Sequence, residues 1–351
     1  MDLKVGLTYN LKRHANAEGL PEDFYAEFDD VETVDAITCA LENSGCEVTE
    51  IEADREAYKK LLGLKPDIVF NIAEGLYGES RESQIPALLE MLRIPYTGSG
   101  PLTLAISLNK GLTHQLLSVN GVKTPKFLVA DEYVKLDGKI NFPLVVKPLA
   151  EGSGKGIRSN SLVKDEQSLR KQVTWVTKTY NQPAIIEEFL PGREFTVGLI
   201  GNDEPEVLPI VEILFDKLPK DSSPLYSYEA KWIWDVPEKP IDIFRCPADI
   251  PERLEKEIKH TAVKAFKVLN CRDICRIDMR LDRNCRPNVM DVNPLPGMIP
   301  NPEAHSCLPE AARAAGYTYD QLISMILEQA LKRYDLPIMG SDTFQKSHAP
   351  T

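Results

Sequence analysis

Apolar residues recur at two different spacings through the first hundred positions, and the switches between them predict alternating strands and helices. Val5–Tyr9, Glu47–Ile51 and Asp67–Asn71 are short apolar or alternating runs and read as strands. Val31–Asn43 carries apolar residues at helical spacing and ends at Ser44-Gly45, so it reads as an amphipathic helix with a glycine stop. Arg55–Leu62 and Glu82–Leu92 read as further helices, the second ending before Ile94-Pro95. This order predicts a parallel α/β unit, in which ligand groups gather at the carboxyl ends of the strands. Those ends carry Asn10, Asn71 and Glu74.

The pattern changes near Ser107. Lys110–Val119 reads as a helix stopped by Asn120-Gly121, and Asp165–Tyr180 as a helix with an acidic first turn. Phe127–Ala130, Leu144–Lys147 and Ala184–Glu188 read as strands around them. A strand-rich stretch follows: Glu194–Ile200, Val207–Ile213, Tyr226–Trp232, Ile274–Leu281 and Pro287–Val292, interrupted by a long helix over Pro251–Val268. Helices over Leu308–Ala315 and Tyr319–Arg333 close the fold, and residues 337–351 lack periodicity and read as a loose tail. The expected division is 1–107, 108–187 and 188–336, with the tail beyond, and no internal repeats.

Composition narrows the class. A chain of 351 residues with 43% hydrophobic content can fill two or three cores. A net charge of −12 argues against nucleic acid or an anionic membrane as the main partner. Lysines still matter locally, because an anionic substrate needs cations at its own site. The seven cysteines lack metal-like spacing, with Cys271 and Cys275 four apart and no second pair, and read as reduced thiols of a cytoplasmic protein. Met1–Leu7 reads as a buried strand rather than a signal peptide, and no apolar run approaches membrane-spanning length.

The chemistry concentrates in a few segments. Arg276-Ile-Asp278 and Met290-Asp291-Val-Asn293-Pro-Leu-Pro-Gly297-Met lie on two apolar runs joined by a hairpin-like turn over 282–286. Alternation can put Asp278, Asp291 and Asn293 on one face of a strand pair, where hard oxygen donors suit Mg²⁺ and the phosphates it brings. The Pro-Gly-Met turn exposes backbone N–H groups. Val145-Val-Lys147-Pro-Leu-Ala-Glu-Gly152-Ser153-Gly154-Lys155-Gly156 is a strand that delivers a lysine into a glycine-rich loop, which lets backbone N–H groups approach phosphate. It is neither a P-loop nor a dinucleotide fingerprint. The turn in Glu187-Glu188-Phe-Leu190-Pro-Gly192-Arg-Glu194 can present backbone groups to an adenine edge, with Glu194 accepting from ribose hydroxyls. Lys231, amid aromatics in Ser227-Tyr-Glu-Ala-Lys-Trp232, can reach a terminal phosphate. Taken singly, each segment also fits a plain role as a solvated strand face, a flexible loop or a surface hairpin.

In this order, and with Pro95-Tyr-Thr-Gly-Ser-Gly100 and Asn109-Lys110, these segments resemble the ATP-grasp superfamily and, within it, the D-alanine–D-alanine ligase family. The match runs from residue 1 to about 333. The resemblance implies an ATP-grasp fold of α/β elements behind an N-terminal parallel-sheet (preATP-grasp) domain. It implies that Lys110 and Lys147 contact ATP phosphates, Glu187–Leu190 (Glu188 included) hold adenine, Glu194 the ribose, and Lys231 the γ-phosphate. Asp278, Asp291 and Asn293 would hold a pair of Mg²⁺ or Mn²⁺ ions, while Arg276 and the Gly297 N–H stabilise a tetrahedral intermediate. Ser306 matches the position that binds the acceptor's carboxylate, and Ser153 the loop serine beside the first amino acid.

Departures from the family pattern fall at one metal position and otherwise on the substrate side. Asp291 stands where Glu is usual, Trp232 where Tyr is usual, and Asn71-Ile-Ala-Glu74-Gly75 replaces a His-Gly segment. Tyr9–His14 lacks the usual Gly-Gly start, and an insertion over Ile299–Ala304 precedes Ser306. The expected activity is an ATP-dependent carboxylate–amine ligase acting through an acylphosphate on small-molecule acid and amine substrates, with a homodimer possible. A true D-alanine–D-alanine ligase and a catalytically silent nucleotide-binding regulator are the alternatives. Glu74 is expected to meet a substrate ammonium, with Arg81 nearby for an added carboxylate; the alternative is that these two residues pair with each other.

Overall fold

A computed structural model describes residues 3–13, 21–132, 136, 138–219, 222–234, 241–304 and 306–337. The tail expected over 337–351 lies, Pro337 apart, outside them. Strand β1 (Leu3–Tyr9) is the centre of a parallel three-stranded sheet, flanked by β2 (Cys46–Glu52) and β3 (Ile68–Asn71). Helices cover both faces, as a parallel sheet requires. On one face Leu7 packs with Ile37 and Leu41 of α1 (Val31–Asn43). On the other, Ile51 and Val69 pack with Leu61 of α2 (Ala57–Leu64) and Leu89 of α3 (Gln84–Leu92). Arg81–Ser83 forms a 3₁₀ turn ahead of α3, so the α-helix begins at Gln84, two residues later than the expected Glu82. The expected elements had left 101–108 unassigned; it is helix α4 (Pro101–Leu108), an almost wholly apolar run with proline at its first position.

Helix α5 (Lys110–Val119) follows, with the Asn109 side chain accepting from the Leu112 N–H at 3.0 Å. A second, antiparallel sheet has the order β4 (Phe127–Ala130), β7 (Ala184–Glu188), β5 (Leu144–Pro148), β6 (Leu162–Val163). Helix α6 (Glu166–Tyr180) is capped by Asp165, which accepts from the Ser168 N–H at 2.8 Å, and buries Leu169, Val173 and Val176 against Val146 and Ile186.

The third sheet runs β11 (Phe244–Arg245), β10 (Val211–Ile213), β8 (Glu194–Gly201), β12 (Asp273–Leu281), β13 (Pro287–Asn293), with β9 (Glu206–Val207) also on β8. Its pairings are antiparallel. Helix α7 (Glu252–Val268) buries Ile258, Ala262 and Phe266 against one face. Helices α8 (Cys307–Ala314) and α9 (Tyr319–Arg333) share a core with β1 and α1, which ties the last segment to the first.

Two expected strands are corrected. Val207–Ile213 is broken into β9 and β10, because Pro209 between them cannot donate to a ladder. Tyr226–Trp232 is not a strand: Ala230–Trp234 forms a π-helical turn. Its aromatics suggested β structure, but local bonding wins. Lys231 N–H donates to Ser227 O at 2.9 Å, and Ser227 Oγ accepts from Ala230 N–H at 3.2 Å.

Candidate active site

The second and third sheets, with residues from the stretch 26–33 of the first part of the chain, line a cavity of 190 Å³. Strand β12 lies between β8 and β13, and the register sets Asp278 opposite both Thr196 and Asp291. Lys147, brought in by β5, reaches Asp291 at 3.3 Å and Glu187 at 3.2 Å. Lys110, the first residue of α5, meets Asp291 at 3.0 Å and donates to Glu151 O at 2.7 Å. One helical turn later, His114 bonds the other Glu187 oxygen at 2.8 Å. The buried Glu187 carboxylate thus orients a lysine, and only its backbone is left for an adenine edge. Glu188 accepts from Asn141 N–H at 2.9 Å, and Leu190 lines the cavity wall beside it.

Charge is distributed unevenly. Burial would raise the Asp291 pKa, but Lys110 and Lys147 overcome it and hold the carboxyl well below the usual carboxylate range. Burial raises Glu194 to about 7 despite Arg280, which donates to it at 3.1 Å. Lys231 is pushed down to about 8 by burial and by the Arg276 cation. Arg276 in turn makes a two-point contact with Asp278, at 3.1 and 3.0 Å. Asp278 also accepts from Thr196 Oγ1 at 2.8 Å and from Asn293 Nδ2 at 3.0 Å. The structure therefore brings together Asp278, Asp291 and Asn293; the two carboxylates are already paired with cations or donors of the chain itself, and Asn293 donates to Asp278. Among the described residues no three His, Cys, Asp or Glu side chains form a metal cluster. The set is two carboxylates and a carboxamide, and the strongly ionised Asp291 fits a hard divalent cation that takes water and phosphate as its other ligands.

Gly297 lines the cavity with open space on its Cα side, and its carbonyl accepts from Ser306 Oγ at 3.2 Å. Ser306 sits at the start of α8. Trp232 donates from Nε1 to Ser153 O at 3.1 Å, so the indole fixes the glycine loop through a backbone carbonyl. The loop needs its glycines: Gly156 has φ +70°, and a Cβ there would stand 2.3 Å from Pro148 Cγ.

The other half of the wall was not anticipated. Residues 21–30 fold over the glycine loop. Asp23 accepts from Gly156 N–H at 3.0 Å and from Tyr180 OH at 2.7 Å. Glu27 accepts from Gly152 N–H, from Arg81 at 2.8 Å and from Lys155 at 3.1 Å. Glu151 pairs with the same Arg81 and Lys155. Burial alone would raise Glu27; Lys155 and Arg81 overcome it and hold the carboxyl at about 2. Arg81, expected either to pair with Glu74 or to receive a substrate carboxylate, is committed to Glu27, Glu151 and Ala150 O instead. Glu74 lies in an adjoining cavity with Ser153, Lys231 and Arg276. Nothing in the acidic stretch 22–30 distinguished Glu27 from a solvated run, since its partners lie far away in the chain.

Comparison with known proteins gives the family. Residues 121–328 match the family described as D-ala D-ala ligase C-terminus. The chain is 36% identical over 309 residues to uncharacterized protein y4sG of Sinorhizobium fredii, covering 86% of this chain and 88% of that one. It is 32% identical to D-alanine–D-alanine ligase of Pelotomaculum thermopropionicum (86% of this chain, 92% of that one) and 34% identical to that of Aquifex aeolicus (85% and 94%). In fold it resembles D-alanine–D-alanine ligase from Bacillus anthracis complexed with ATP, with a TM-score of 0.71, 24% identity, and 95% and 98% of the two chains covered. Lysines, carboxylates and an arginine gathered around one cavity, set in that fold and that sequence background, place the chain in the D-alanine–D-alanine ligase family, the ATP-dependent, ADP-forming carboxylate–amine ligases of ATP-grasp architecture.

Proposed function

We propose that this enzyme activates the carboxylate of an amino acid or related acid as an acylphosphate and passes the acyl group to the amine of an amino acid. The observation that carries the reading is the convergence of Lys110, Lys147, Lys231, Arg276, Asp278, Asp291 and Asn293 on one cavity. Lys110 and Lys147 hold the phosphates of ATP, and Lys231 neutralises the terminal one. A carboxylate oxygen of the acid takes that phosphoryl group and ADP is left. The amine nitrogen then attacks the acyl carbon, Arg276 and the Gly297 N–H stabilise the oxyanion, and phosphate departs with the C–O electron pair. Asp278, Asp291 and Asn293 would hold a pair of Mg²⁺ or Mn²⁺ ions, which supply charge neutralisation for phosphoryl transfer. Ser306 takes the acceptor's carboxylate. The turn at Glu187–Leu190 takes adenine, and Glu194 the ribose.

The division into 1–107, 108–187 and 188–336, a cytoplasmic location and a homodimer belong to the same reading. Among the described residues no helix is long and apolar enough to cross a membrane. Ligation of two D-alanines is the second reading, favoured by the names of the relatives. Against it stand the indole at position 232, bonded to the loop carbonyl, and Glu27 of the cavity wall, which is held by a buried pair with Arg81. Indole N–H only donates, so it cannot relay as a phenol does. The test is ADP formation and product mass with amino acids, dipeptides and amines as mixtures. ADP together with a new amide supports a ligase; no ADP from any mixture returns the chain to a silent nucleotide binder.

A further inference from the structure

A smaller cavity of 60 Å³ shares Lys231, Arg276 and Gly297 with the reacting centre and is walled on its far side by Glu74, Glu82 and Ser107. Its charges do not balance. Glu27 and Glu151 are matched by Arg81 and Lys155. Glu27 has no room for another donor, since each of its oxygens already accepts twice: Oε1 from Arg81 and Gly152 N–H, Oε2 from Arg81 and Lys155. Lys110 is turned to Asp291 and to the Glu151 carbonyl. Glu74 and Glu82 are left over. Among the described residues neither carboxylate forms an ion pair or a hydrogen bond. Burial, then Glu82 and Glu27, push the Glu74 pKa well up, and burial raises Glu82 to about 7 against the pull of Arg81. Ser107 gives a second, neutral sign. It is 5% exposed, lines the same cavity, and its Oγ has no hydrogen-bond partner among the described residues. A buried hydroxyl, the buried Glu82 carboxylate and the half-buried Glu74 carboxylate, all without donors, match an ammonium, which brings three N–H donors and one positive charge.

The position of this wall indicates which ammonium. Glu74, Glu82 and Ser107 line the smaller cavity and not the larger one, whereas Lys231, Arg276 and Gly297 line both. Lys147 and Glu194 line the larger cavity alone, so the three residues stand on the side of the reacting centre turned away from the nucleotide wall. We propose that Glu74, Glu82 and Ser107 form a subsite for an ammonium at the end of the acid substrate remote from its reacting carboxylate. The acid is then one with a terminal amine, a basic or ω-amino acid, rather than D-alanine. This rests on the ligase reading and assigns the substrate class of its first pocket.

The test uses hydroxylamine as the attacking amine, which converts an acylphosphate to a hydroxamate whatever the natural acceptor is. Ornithine, lysine and 6-aminohexanoate are compared with norvaline, norleucine and hexanoate, with ATP and Mg²⁺, by hydroxamate and ADP formation. The expected result is at least a tenfold lower KM for each terminal-amine acid than for its neutral counterpart. Glu74→Gln and Glu82→Gln should each raise the KM of the terminal-amine acid about tenfold. The KM of norleucine should move less than threefold in the same variants, and Ser107→Ala should give a smaller rise. Equal use of the neutral acids by the natural-sequence enzyme overturns the proposal, and so do variants that shift both acids alike. The comparison on the unmutated enzyme stands even where a variant fails to fold. Hydroxamate from neutral acids alone removes this subsite and leaves the ligase reading intact; no ADP from any acid removes both.

Discussion

The two walls of the active-site cavity are built in different ways. The nucleotide-facing wall stands on regular strands: Lys147 on β5, Glu194 on β8, Arg276 and Asp278 on β12, Asp291 and Asn293 on β13. Alternation along a strand fixes which face each side chain takes, and β12 is bonded on both edges. The substrate-facing wall is assembled from loops and turns: the segment 21–30, Glu74, Arg81, the glycine loop and the π-helical turn with Trp232. Its geometry depends on charges that meet only after folding. One wall is thus suited to constant chemistry, and the other can change its substrate without disturbing the strands.

If the division holds, substitutions on the strand-borne wall should cost turnover. Asp291→Ala should abolish ADP formation, and chelation of divalent metal should do the same to the unaltered enzyme, because the first removes a hard oxygen ligand and the second the ion it would hold. Normal turnover in either case would remove the metal assignment. Arg276→Ala should lower kcat by roughly 10²–10³, as for loss of one oxyanion donor. A variant that stays active but melts earlier would make Arg276 a strut for Asp278 instead. Lys231 reaches the same phosphates from the π-helical turn rather than from a strand; it sits at about 8, so it is charged below that pH and neutral above it. The kcat/KM for ATP should therefore fall as pH rises through about 8, and Lys231→Arg should remove that limb.

Substitutions on the loop-borne wall should act through stability and substrate affinity. Glu27→Gln leaves Arg81 and Lys155 short of a carboxylate and should cost about 1–3 kcal/mol in chemical denaturation. The sign of its pH dependence follows from a folded pKa of about 2 against an ordinary 4.5. The contribution is complete above the ordinary value and is lost as pH falls through the folded one, so the variant and the parent should converge in acid. Trp232→Phe keeps the ring and deletes the donor to Ser153 O. It should raise the KM of the acid substrate by a factor corresponding to about 0.5–1.5 kcal/mol, with kcat little changed. A large loss of kcat would place Trp232 with the catalytic groups.

The same contrast explains what could be read in advance. Helices α1, α5 and α9 and strands β4 and β7 were legible to the residue, because caps and glycine stops bound a clear period. Asp278, Asp291 and Asn293 could be placed on one face because alternation survives into the folded sheet. Helix α4 escaped because a short, almost wholly apolar run shows too little period to detect. The turn at Ala230–Trp234 escaped because aromatic residues argue for strands while the deciding hydrogen bonds come from a single serine. Glu27, Asp23 and His114 escaped for a different reason. Each acts through partners distant in the chain, and no local pattern marks an acidic residue that will become buried.

The central claim is an intact nucleotide and metal wall facing a rewritten substrate wall, and one measurement tests it most directly. Steady-state ADP formation is followed with ATP, Mg²⁺ and D-alanine as the only amino acid, and compared with the same enzyme given terminal-amine acids and an amine acceptor. The account predicts turnover with the second set and little with D-alanine alone. Efficient D-alanyl-D-alanine formation, with KM values in the ordinary enzyme range of about 1 μM–1 mM at both sites, would contradict it.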